Sequence, residues 1–309
     1  KNVKYLYADR SQPRFGLPEK HWFRLLNNVT HVIHNAWPVD FCMPLSHFEP
    51  SIRMTAELMQ LCKSADCAPT FVFISSIGSV IGNDTPLVTE EVVHDWLAAE
   101  NMGYTQSKLV AERLIATAAT KTGVKSAICR VGQLGGVLNH EVWGDEVPHW
   151  PEKQWLPAML ASSIRLGAIP SSLASLNRVD WLPVDVAAAP VCELMLAIPT
   201  TADICNVYNI VNPQLTTWDH LLSELKAYKD LERVTLADWV VLLKKNIDGG
   251  QVVPAASLVE FFEGACESET QKPLVDCSKS MALSPTLRGT QAISVELIEC
   301  WISQWSFSG

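Results

Sequence analysis

Short, nearly continuous apolar runs alternate in the first half of the chain with stretches whose apolar residues recur every three or four positions. The runs "THVIHNAW" (30–37), "TFVFISSIGSVIG" (70–82) and "KSAICRVGQLGG" (125–136) read as buried strands. Between them, "PLSHFEPSIRMTAELMQLCKSA" (44–65) and "GYTQSKLVAERLIATAATKTG" (103–123) have helical spacing, and Gly123 ends the second. Ahead of these, "NVKYLYA" (2–8) is β-prone and predicts a further strand, and "EKHWFRLLNNV" (19–29) predicts a helix. Buried strands separated by helices imply an α/β fold, a doubly wound parallel sheet covered on both faces.

The alternation lapses from 137 to 178, a Trp- and Pro-rich stretch with one helix expected over 153–166. "VDWLPVDVAAAPVCELMLA" then places Asp185 as a helix N-cap, and "CNVYNIVNP" (205–213) returns as a strand. After Pro213 helices are expected at 217–227, 235–245, 255–264 and 292–305. The resulting division is a core over 1–136, an insert over 137–178, a return to the core over 179–213, and a smaller, mainly helical subdomain over 214–309.

Composition narrows the partners. With 309 residues, 48% hydrophobic and 18% charged, the chain buries a large core, and a formal charge of −9 argues against nucleic acid or an anionic membrane surface. The nine cysteines lack C-x-x-C spacing, and the first sixteen residues lack the apolar core of a secretory signal. Reduced thiols and a cytoplasmic location are therefore expected, with no metal site.

Candidate chemistry begins with Tyr104 and Lys108, four apart and hence on one face of the helix over 103–123. A neighbouring ammonium lowers the pKa of a phenol, which would make a tunable acid beside a carbonyl oxygen; the plain alternative is a helix-surface pair. Ser75 and Ser76 end the preceding strand, as reacting hydroxyls or as caps. Neither G-x-G-x-x-G nor G-x-x-G-x-x-G occurs among the 15 glycines.

The segments "HNAWPV", "FISSIGSV", "GYTQSKLVAER", "RVGQLGG", "KQWLPAMLASSIRLGAIP", "VDWLPVD" and "YNIVNP" follow the order seen in extended short-chain dehydrogenases. Together they resemble thioester reductase domains of fungal nonribosomal-peptide-synthetase-like, aminoadipate reductase and carboxylic acid reductase enzymes. The resemblance implies a Rossmann-like fold and a triad of Ser76, Tyr104 and Lys108, with Ser75 the less favoured serine. It implies cofactor contacts at Asp9, Asn35, Ala36, Ser75, Lys108, Val131 and Gly132. NADPH is the implied hydride donor, and the implied substrate is a thioester on the phosphopantetheine arm of an upstream carrier domain, released as an aldehyde or alcohol. Trp143, Trp155 and Met159 of the insert are candidates for substrate contact, with ordinary packing the equal alternative. Two βα units carrying the glycine-rich turn precede the counterpart of "VKYLYADRSQP" in such domains, so this chain resembles a reductase domain without them, expected to bind NADPH weakly. Competing expectations are a cofactor-independent Dieckmann-type release domain and a noncatalytic carrier-docking fragment.

Overall fold

The structure is a computed structural model, and it describes residues 3–9, 11–83, 85–139, 149–197, 204–267 and 272–305. The chain divides into two compact units, one of residues 1–131, 191–210 and 275–283, the other of residues 132–190, 211–274 and 284–309.

The first unit is built on a parallel sheet of four strands, β1 (His31–His34), β2 (Thr70–Ser76), β3 (Ser126–Val131) and β4 (Cys205–Ile210), whose order across the sheet is their order along the chain. The register sets Ser76 opposite Val131, and Val131 opposite Ile210, at the carboxyl ends. Helix α1 (Glu19–Asn28) precedes β1, and α2 (Glu49–Ser64) and α3 (Gly103–Thr122) supply the crossovers from β1 to β2 and from β2 to β3 that parallel strands require. Phe71 and Phe73 of β2 and Ile128 of β3 pack with Met59 of α2 and with Ala111 and Ile115 of α3. Side chains alternate along a strand, so Ser75 shares the face of Phe71 and Phe73.

The strand expected over 2–8 does not form: residues 3–8 pair with no strand among the described residues, and Tyr5 and Tyr7 are 94% and 91% exposed. A β-prone sequence becomes a strand only when a neighbour accepts its ladder.

The second unit contains α4 (Trp155–Leu166), α6 (Trp218–Glu224), α7 (Leu236–Asp248), α8 (Val259–Glu267) and α9 (Val295–Gln304). These match the helices expected from the spacing to within a few residues. Thr235 caps α7, its hydroxyl accepting the Asp238 N–H at 3.1 Å, and Ser294 caps α9 in the same way. The unit's core is rich in tryptophan: Trp150 meets Trp301 edge-on at 5.2 Å and Trp181 at 5.9 Å, and Trp155 meets Trp181 at 5.6 Å. Gly135 and Gly136 lie flat against Trp301, where an added Cβ would fall within 2.6 Å and 2.5 Å of the indole. Helix α5 (Val184–Ala197) begins one residue before Asp185, which therefore does not cap it. Its carboxylate instead accepts the backbone N–H groups of Leu138 and Asn139 at 2.9 and 3.0 Å.

Candidate active site

The carboxyl end of β2 and the first three turns of α3 bring the chemistry-bearing residues of the first unit together. Gly103 opens α3 where the loop over Met43, Pro44 and Leu45 crosses it; an added Cβ would sit 2.3 Å from the Met43 carbonyl oxygen. That close approach seats the next residue, Tyr104, between Phe41 and Phe48, with ring centroids 5.7 and 6.2 Å away.

Ser76 leaves the sheet and caps a short turn, its hydroxyl oxygen accepting the Gly78 N–H at 3.3 Å. The same hydroxyl, beside the Tyr104 phenol, favours its ionised form. Burial outweighs it and raises the Tyr104 pKa above its ordinary value. The expected lowering of that pKa by Lys108 is thus not the net result. Lys108 is buried too: desolvation brings its pKa down to about 7, against the opposing pull of Glu112. Its ammonium donates to the Ile74 carbonyl at 2.7 Å and lies over the rings of Trp37, Phe73 and Tyr104 at 4.5, 4.7 and 5.7 Å.

Ser75 does not face Tyr104. Its hydroxyl donates to Glu112 at 2.5 Å on the α3 side of the sheet. Asn35 and Ala36 are exposed just beyond β1. His34, before them, is 2% exposed among Trp37, Phe71 and Phe73. Burial and the Lys108 charge, against a smaller effect of the Ser51 backbone, hold its pKa near 4, so the ring is neutral. Val131 is half-buried opposite Ser76, and Gly132 begins the second unit. Asp9 accepts the Ser11 N–H and hydroxyl at 2.9 and 2.7 Å, bonds that hold its exposed carboxyl below the usual range. Met159 is fully buried and Trp155 nearly so in the tryptophan-rich core, where both serve packing. Trp143 lies outside the described residues.

Glu112 and Arg130 are the residues that the motif reading passed over. They form an ion pair at 2.8 Å with side chains 1% and 0% exposed. Their signal was present as a glutamate on the buried stripe of α3 and an arginine inside an apolar strand, since charges so placed are paired.

The donor set suits the nicotinamide end of a dinucleotide: an ammonium, a phenol and a hydroxyl beside exposed backbone at the carboxyl edge of a parallel sheet. The pyrophosphate finds no glycine-rich turn of the usual spacing in these 309 residues.

Residues 1–191 match the NAD-binding family described as male sterility protein. The chain is 32% identical to a carboxylic acid reductase of Neurospora crassa, across 98% of this chain and 30% of that protein. It is 30% identical to an adenylate-forming reductase of Serpula lacrymans, across 99% of this chain and 29% of that protein. The chain thus spans under a third of the length of these curated relatives. Its fold superposes on the terminal R domain of the myxalamid PKS-NRPS biosynthetic pathway with a TM-score of 0.78, at 21% identity, covering 97% of this chain and 73% of that one. The chain belongs to the male sterility protein family of NAD-binding proteins.

Proposed function

We propose that this domain reduces a carrier-bound thioester to an aldehyde with NADPH, through Ser76, Tyr104 and Lys108. The observation that carries the reading is their convergence at the carboxyl end of β2, with Ser76 acting on the Tyr104 phenol and Lys108 one turn along the same helix. Lys108, with Asn35, Ala36 and Val131, would hold the nicotinamide and its ribose. When bound there, the cofactor supplies a hydride to the thioester carbonyl carbon.

Ser76 and Tyr104 donate hydrogen bonds to the carbonyl oxygen as negative charge grows on it. The raised pKa of Tyr104 keeps its proton in place until that charge develops, and the proton then passes to the oxygen. Lys108, charged in part near neutral pH, stabilises the phenolate left behind. The carbon–sulfur bond of the resulting thiohemiacetal breaks, giving aldehyde and pantetheine thiol. One thioester and one proton are consumed per hydride.

The test is an acyl-pantetheine thioester incubated with and without NADPH. Aldehyde and free thiol in equal amounts, matched by NADPH oxidised, is the expected result. Thiol release that ignores NADPH and yields a cyclised product would replace this reading with the Dieckmann-type one.

A further inference from the structure

Tyr104, Lys108 and Glu112 follow one another at four-residue intervals along α3 and so lie on one face. The Glu112 carboxylate does more on that face than balance a charge. One oxygen accepts the hydroxyl of Ser75 at 2.5 Å and that of Ser79 at 2.7 Å, while Arg130 bonds the other at 3.0 and 2.8 Å. Ser79 also lies 2.7 Å from the Ser76 carbonyl oxygen, within reach of the same hydroxyl. Glu112 therefore grips the chain on both sides of Ser76, one residue before it and three after. Arg130 is anchored in turn, donating to the carbonyls of Thr89 and Glu91 at 3.3 and 3.0 Å. Every strong acceptor site of the buried carboxylate is thus used, as a buried charge requires.

We propose that Glu112 is the positioning residue of this site, fixing the direction of Ser76 from both sides and holding a negative charge one helical turn beyond Lys108. The role in turnover rests on the thioester-reductase reading; the role in placing Ser76 and tuning Lys108 does not. Lys108 is faced by Tyr104 and Glu112 from α3, by neutral His34 and Trp37 from β1 and the loop after it, and by Phe73 and the Ile74 carbonyl from β2. Of these groups Glu112 is the one whose charge holds the ammonium charged, against burial. A purely structural ion pair would support the fold without setting the titration of Lys108.

The test is Glu112→Gln, which keeps the volume and an acceptor oxygen but removes the charge. Lys108 is followed by 13C NMR of labelled lysine side chains, its signal assigned with Lys108→Met. The midpoint is expected to fall below that of the parent, the alkaline limb of the rate profile to move to lower pH, and kcat to drop by up to about 100-fold. Glu112→Asp restores the charge but not the reach to Ser75 and Ser79, so it returns the midpoint toward the parent while kcat stays low. Because Glu112→Gln leaves Arg130 buried without its partner, Glu112→Gln with Arg130→Gln is measured beside it to retain a folded sample. A folded variant in which Lys108 titrates as in the parent and kcat is unchanged would overturn the proposal. A shifted Lys108 midpoint in a protein that reduces no thioester would uphold the positioning role and reject the proposed reaction instead.

Discussion

The hydroxyl of Ser75 donates to a carboxylate oxygen of Glu112 at 2.5 Å, whereas that of the adjacent Ser76 accepts the Gly78 N–H at 3.3 Å. Two adjacent serines thus have separate duties. Ser76→Ala is expected to lower kcat by roughly 10²- to 10³-fold, the usual loss for one oxyanion donor. Ser75→Ala should act only through the Glu112 grip and cost less than about 10-fold; steady-state rates of both variants check this, and the reverse order would exchange their roles.

Tyr104→Phe removes one hydroxyl and keeps the ring contacts to Phe41 and Phe48. Reduction should be lost while the thermal midpoint stays within a few degrees of the parent. Calorimetry and NADPH oxidation on one sample separate the two effects, and near-parent turnover would take Tyr104 out of the chemistry.

His34 gives the fold a sensitivity to acid. Its pKa is about 4 in the folded chain and 6.5 for the free side chain, so between those values the unfolded state binds the extra proton. Stability therefore falls as pH drops from 6.5 toward 4, by roughly 3 kcal/mol from this group. His34→Phe, which keeps an aromatic ring among Trp37, Phe71 and Phe73, should flatten that part of the profile in urea titrations at stepped pH. An unchanged slope would show that His34 titrates normally.

Lys108 acts in the same direction at higher pH. Its folded value near 7 lies below the ordinary 10.5, so the unfolded state holds more protons between them and stability rises with pH across that window. Lys108→Met should remove this rise. Denaturant midpoints at pH 7 and pH 9 are the measurement, and an equal rise in parent and variant would assign it to other groups.

Met159 tests whether the tryptophan-rich stretch is core. Met159→Ala should destabilise by about 2–5 kcal/mol, the range for a fully buried large-to-small change, with KM for the thioester unaltered. A stable variant with a raised KM would return Met159 to the substrate site.

Much of this protein was legible in the chain itself. The strands of the parallel sheet, the helices of the second unit and the Tyr104–Lys108 face all follow from periodicity, because spacing within one segment is a local property that needs no distant partner. Tertiary structure decided what depended on a partner far along the chain. Residues 3–8 of "NVKYLYA" have strand propensity but pair with no strand among the described residues, and they are exposed. Asp185 has the chemistry of a cap, yet its carboxylate is claimed by the backbone of Leu138 and Asn139. Ser75 found its hydrogen-bond partner in Glu112 of α3, and the protonation of Lys108 is set by the burial around it. Residue type determined which groups were able to react; desolvation and hydrogen-bond competition, which exist only after packing, determined their state.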